Sequence, residues 1–180
     1  KWADLSEGDF GVSILNDSKY GHDIKDGNMR LTLLKSTCDP NPEADKEEHF
    51  FTYSLYAHTG TWKDAKTVNE AYKLNVPLFA KVEEAHVGEL PKKLSLANLN
   101  KENVLIEVIK KAEDSEDLIV RMYEFHNKKT NVTLTFLKDI ETAFECNLLE
   151  RNLEEAKISG SAIDFTIKPF EIKTFKVKLK

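Results

Sequence analysis

Two stretches near the end of the chain, Ala162-Ile163-Asp164-Phe165-Thr166-Ile167 and Phe170-Glu171-Ile172-Lys173-Thr174-Phe175-Lys176-Val177-Lys178-Leu179, alternate apolar and polar side chains with a period of two. Successive side chains of a β-strand point to opposite faces, so the pattern predicts strands with one buried and one wet face. Val104 to Ile109, Leu118 to Phe125 and Val132 to Leu137 are rich in β-branched and aromatic residues and read as further strands. The breaks between them, Lys110 to Asp117 and His126 to Asn131, read as solvated hairpin connections from their charge and their Asn, Asp and Ser content. Lys173, Lys176, Lys178 and Lys180 read as a device against edge-to-edge pairing of the last strand, and Pro169 sits between two strands where its missing N–H costs no ladder bond.

The first half is less regular. Phe10 to Leu15, Met29 to Leu34 and Phe50 to Tyr56 are strand candidates. Trp62, Ala65, Val68 or Asn69, and Tyr72 recur at helical spacing, which predicts one amphipathic helix over Trp62 to Leu74, with Thr61 as N-cap and Asp64 at its third position. The connection from Ser36 to Glu48 carries two prolines and a run of acids, so it is neither a strand nor buried. Long loops on a rigid sheet often carry function. The fold class that follows is all-β, an antiparallel sandwich with one short amphipathic helix, over 180 residues that form one domain or divide near 98/99.

A formal charge of -5, with lysines and acids interleaved, argues against nucleic acid and anionic membrane as partners, because both call for clustered positive charge. No apolar run reaches the ~20 residues that span a bilayer, and Lys1-Trp2-Ala3-Asp4 is not a charged-then-apolar leader. Cys38 and Cys146 have no C-x-x-C spacing and read as unpaired thiols in a reducing, cytoplasmic setting.

The five histidines lack H-x-x-x-H or H-E-x-x-H spacing, and no G-x-S-x-G, P-loop or G-x-G-x-x-G occurs, so no metal, nucleophilic-serine or nucleotide site is self-contained here. Acid pairs such as Glu47-Glu48 say nothing about two carboxyls converging across a cleft. Trp2 and Trp62 read as isolated, with Trp62 packing the helix, which offers no stacking platform for a sugar. One polar cluster stands out, Leu15-Asn16-Asp17-Ser18-Lys19-Tyr20-Gly21-His22-Asp23. It reads either as a turn, capped by Asn16, Asp17 and Ser18 and eased by Gly21, or as a loop presenting amide and carboxylate groups to sugar hydroxyls.

Gly11 to Gly21, Leu31 to Ser36, Pro42 to Asp45 and Phe51 to Tyr56, followed by Arg121-Met122-Tyr123-Glu124, Glu145-Cys146-Asn147-Leu148-Leu149-Glu150 and Pro169 to Thr174, together resemble the C-terminal β region of family 38 glycoside hydrolases. These are retaining α-mannosidases, and the blocks are most similar to the cytosolic and bacterial branch. The resemblance implies a supersandwich-like C-terminal part of a larger enzyme acting in mannoside catabolism, with zinc and the catalytic residues in an N-terminal domain that would be this chain's partner. It implies no catalytic residue, metal ligand or cofactor within these residues, and no activity for them alone; assembly into a homo-oligomer is left open. Loops of such a region close one side of the substrate cleft, which makes Asp39, Asn41, Glu43, Asp45, Asn16, Asp17 and Tyr20 the candidate mannoside contacts; where other members place an arginine pair, this chain has Lys35 and Ser36. The alternatives are a non-catalytic carbohydrate-binding module and a structural scaffold, the latter expected to expose a large apolar patch.

Overall fold

The computed structural model describes all 180 residues, and contacts cluster into two units, Lys1–Ala85 and His86–Lys180.

In the first unit, β1 (Trp2–Glu7), β2 (Phe10–Asn16) and β5 (Tyr53–Thr59) form an antiparallel sheet in the order β1-β2-β5, and β3 (His22–Lys25) pairs with β4 (Asn28–Leu31) as a separate hairpin. Asp26 and Gly27, both at positive φ, make its turn, as a two-residue hairpin demands. The strand expected over Met29 to Leu34 therefore stops at Leu31. The helix, α1 (Thr67–Asn75), also differs from expectation by starting five residues late. Thr61 and Asp64 do form the reciprocal cap, with Thr61 N–H donating to Asp64 Oδ2 at 3.0 Å. They close only a single turn, because Lys66 takes a left-handed φ of 54° and the Ala65 carbonyl accepts from Tyr56 Oη at 3.0 Å.

The sheet is polar on the side of α1. The register sets Asp4 beside Ser13 and Gly11 between Ser6 and His58, and Ser13 Oγ lies 3.0 Å from Thr67 Oγ1 on the helix. Trp2 and Trp62, which sequence alone leaves isolated, meet here at 5.1 Å between ring centroids. The opposite face carries Leu5, Phe10, Val12 and Leu55, with Met29 of the hairpin beside them, around a cavity of about 510 Å³; Leu55 is 70% exposed and Phe10 49%.

The second unit is a two-sheet sandwich. Its strands are β6 (Ala97–Leu99), β7 (Val104–Lys111), β8 (Leu118–Glu124), β9 (Thr130–Phe136), β10 (Ile140–Cys146), β11 (Asn152–Glu155), β12 (Ile158–Ser159), β13 (Ala162–Ile167) and β14 (Ile172–Leu179). One sheet runs β11-β10-β14-β8-β7 and the other β12-β13-β9-β6. Their inner faces share one core, which includes Val120, Met122, Phe175 and Val177 from the first sheet and Leu134, Phe136 and Ile163 from the second.

The break Lys110 to Asp117 is the expected hairpin between β7 and β8. The break His126 to Asn131 is not, because β8 and β9 belong to different sheets and the chain crosses the sandwich there. A second crossing, at Pro169, joins β13 to β14. The lysines of β14 guard no edge, since the strand is central. Lys173 instead bonds Glu145 on β10 at 2.5 Å, and Lys178 bonds Glu141 at 2.8 Å, as cross-strand pairs.

Glu124 ties together these two of the five crossings that the chain makes between the sheets. Its side chain is 1% exposed. One carboxylate oxygen accepts from Asn103 Nδ2 at 2.9 Å and His126 N–H at 2.7 Å, and the other accepts from Phe170 N–H at 3.0 Å. Burial pushes its pKa up, but the Phe170, Asn103, His126 and Lys128 donors outweigh that and hold it below the usual glutamate range.

Two outcomes follow. Glu124→Ala orphans these donors and costs about 3 kcal/mol or more in urea unfolding, and Glu124→Gln costs roughly 1–3 kcal/mol. Because the folded pKa is depressed, the stabilisation is complete above the ordinary glutamate pKa of about 4.3 and is lost as pH falls through the lower folded value; an acid titration of stability loses this component in the Gln variant. Gly11→Ala places a methyl 2.5 Å from His58 Cε1, an overpacking expected to cost roughly 1–3 kcal/mol, with the unfolding midpoint as readout.

Candidate functional site

The candidate surface of the first unit is formed by the turn after β2 and the long connection between β4 and β5. Asn16, fully buried at the end of β2, is committed within the fold. Its Oδ1 accepts from Lys19 N–H at 2.8 Å, and its carbonyl accepts from Asn75 Nδ2 at 3.0 Å. Asp17 pairs twice with Thr52: its N–H donates to the Thr52 carbonyl at 3.1 Å, and its Oδ2 accepts from Thr52 N–H at 2.9 Å. The Thr52 N–H, followed by the Ser18 hydroxyl, holds the Asp17 carboxyl below the usual aspartate range. Lys19 lies 4.7 Å over the Phe51 ring. The turn therefore clasps the far end of the long connection.

Asp45 performs the same task inside that connection. Its Oδ2 accepts from Ser36 N–H at 2.9 Å and from Lys35 N–H at 3.4 Å, contacts that lower its pKa, and both Ser36 and Asp45 sit at positive φ. Asn41 Oδ1 accepts from Glu43 N–H at 3.0 Å, and Glu43 pairs with Lys46 at 3.0 Å with its side chain 73% exposed. Asp39, exposed, and Tyr20, 69% exposed, face outward. Of the seven sequence candidates, Asn16, Asp17, Asn41 and Asp45 thus spend side-chain oxygens on backbone donors, while Tyr20, Asp39 and Glu43 present groups to the surroundings.

Sequence reasoning did not anticipate the cluster under α1. Asp4 Oδ2 accepts from Ser13 Oγ at 2.6 Å and from His58 Nε2 at 2.7 Å, Ser6 bonds the other Asp4 oxygen, and Ser13 Oγ is 3.4 Å from the same His58 nitrogen. Burial raises the Asp4 pKa, and the Ser13, Ser6 and His58 contacts outweigh it, so the carboxyl is held below the usual range. A Ser-His-Asp relay takes the serine proton on one ring nitrogen and orients the ring through the other. Here both partners crowd Nε2 and Nδ1 is buried without a partner, so the cluster is a packed polar core and has no relay. Its members lie far apart in sequence and are joined only by strand register, which no local motif could signal.

In the second unit, a groove of about 730 Å³ is lined by Glu145, Lys173, Asn131, Asp164, Thr166 and Phe165 among others. Six of its polar side chains pair with one another: Lys173 with Glu145 at 2.5 Å, Thr133 with Asp164 at 2.6 Å and Thr166 with Asn131 at 2.8 Å. Both cysteines are free, Cys38 exposed and Cys146 buried. No group of three or more His, Cys, Asp or Glu side chains converges, so these residues do not fit a zinc ion, which takes three or four such ligands. No helix is long and apolar enough to cross a membrane.

Comparison with known proteins places this architecture. Residues 103–175 match the glycosyl hydrolases family 38 C-terminal beta sandwich domain, and residues 1–43 match the glycosyl hydrolases family 38 C-terminal domain. Alpha-mannosidase G of Dictyostelium discoideum is 37% identical over 168 residues, and alpha-mannosidase 2C1 of Homo sapiens is 35% identical over 154. The alignments take in 87% and 84% of this chain but only 15% of either relative. A crystal structure of an alpha-mannosidase from Enterococcus faecalis V583 shares the fold, with a TM-score of 0.77 at 21% identity over 98% of this chain and 20% of that one. A second Enterococcus faecalis structure, a protein in glycosyl hydrolase family 38, superposes with a TM-score of 0.76 at 19% identity over 98% of this chain and 22% of that one. On these matches and on its antiparallel sheets with a single short helix, the chain belongs to the C-terminal β region of glycoside hydrolase family 38.

Proposed function

We propose that these residues are the C-terminal β part of a retaining α-mannosidase that removes terminal α-D-mannosyl units in cytoplasmic glycan catabolism. The observation that carries the reading is the pair of family 38 matches together with alignment to relatives named alpha-mannosidases. Retaining hydrolysis takes two carboxyl groups, one attacking the anomeric carbon while the other protonates the departing oxygen and then activates water to release the sugar. The acids with the most contacts here are already engaged: the Asp4 and Glu124 carboxylates are buried and accept several donors, and those of Asp17 and Asp45 accept from backbone N–H groups. On this reading the catalytic carboxyls and the zinc are supplied by an N-terminal domain of the same polypeptide.

This region's own share is to shape one wall of the cleft. Its turn and long connection are clasped by Asp17 and Thr52, which supports a fixed loop offering Tyr20, Asp39 and Glu43 to mannose hydroxyls. A scaffold role fits alongside it, because the apolar sheet face around Leu5, Phe10 and Leu55 calls for a cover.

The full polypeptide, supplied with zinc, is expected to turn over an aryl α-mannoside, and the 180 residues alone are not; activity in the latter sinks the assignment of the chemistry elsewhere. In the full polypeptide, Asp39→Ala and Glu43→Ala each raise KM about fivefold at constant kcat, the weight of one hydrogen bond of about 1 kcal/mol lost equally from substrate and transition state. Unchanged KM in both removes the loop from the cleft.

A further inference from the structure

Residues 76–96 connect α1 to β6 without helix or strand, and every one of them is exposed. Leu78 is 101% exposed, Val87 99%, Val82 97%, Phe79 92% and Leu90 79%. Large apolar side chains displayed in this way mark an interaction surface. The composition is not that of a solvated linker, which is rich in charge and poor in apolar residues. Three lysines and three glutamates balance, and aliphatic or aromatic residues are spread along the whole segment. Pro77 and Pro91 lack the N–H that a helix interior or central strand needs, so the segment is built to lie extended.

We propose that residues 76–96 are a docking strap, with Leu78 and Phe79 as its anchors, received by an apolar trough on the part of the same polypeptide that lies outside these 180 residues. The proposal rests on the reading of the chain as part of a longer family 38 enzyme. Two observations favour that occupant over a second copy. The chain spans only 15% of the length of its relatives, so most of such a polypeptide is available as the receiving surface. The superpositions on the Enterococcus faecalis structures take in 98% of this chain, leaving out fewer residues than the strap contains, and those chains are several times longer. The extended course is therefore compatible with a large body of additional chain.

The test uses the full polypeptide carrying Phe79→Cys or, as a milder change, Val82→Cys, with labelling by a small thiol reagent read at that peptide by mass spectrometry. Labelling is expected to be at least about tenfold slower in the folded protein than in urea, and independent of protein concentration. Equal rates in both variants, folded and unfolded, overturn the proposal by showing a free segment. Protection that vanishes on dilution overturns it in favour of a second copy. Aryl α-mannoside turnover by the unmodified polypeptide is scored separately. Protection without turnover sinks the enzymatic reading and leaves the strap standing, while turnover without protection sinks only the strap.

Discussion

The sandwich depends on a carboxylate that has no business in an apolar core unless its neighbours supply donors. Glu124 continues the inward row of Val120 and Met122 on β8, where an unpaired charge would cost several kcal/mol. Backbone N–H groups from two separate crossings converge on it, together with the Asn103 amide, which also donates to Thr130 Oγ1 at 2.8 Å. The exchange is mutual. The crossings bring backbone donors into a buried place where they need an acceptor, and the carboxylate needs those donors to remain charged. Asp4 solves the same problem in the first unit with side-chain hydroxyls and a histidine.

This use of acidic residues bears on function. Across both units the carboxylates with the most contacts are structural: they cap loops, bridge strands or anchor crossings. Exposed polar groups such as Tyr20 and Asp39 stand apart from these bonds, as do large exposed apolar side chains such as Leu78 and Phe79. The exposed sheet face of the first unit and the connection after α1 both carry large exposed apolar side chains.

Much of this was legible from residue order. The period-two runs of β13 and β14 and the β-branched runs of β7, β8 and β9 announced an all-β fold, because alternation is a local property of a strand. Which strands pair is not local, and there the reading failed: a polar break looks the same whether the chain doubles back or changes sheets, so His126 to Asn131 passed for a hairpin. The lysines of β14 likewise look like edge protection until Glu141 and Glu145 are found across from them. The turn nature of the Asn16 to Tyr20 cluster was legible, since Asn and Asp cap their own backbone neighbours. The Asp17 link to Thr52, 35 positions away, and the Asp4, Ser13 and His58 cluster depend on folding and left no mark on local sequence.

The order of the strands has a kinetic consequence. The chain visits the two sheets in alternation, and β14, the last strand to appear, occupies the middle of the five-stranded sheet between β10 and β8. Until β14 arrives, β7-β8 and β10-β11 are separate ribbons with no shared ladder, and the core between the sheets stays open on one side. Such a topology is dominated by contacts distant in sequence, whose loop-closure entropy must be met before they reward it. Folding of this unit should therefore be late, slow and all-or-none, with the arrival of a single central strand as its committing event.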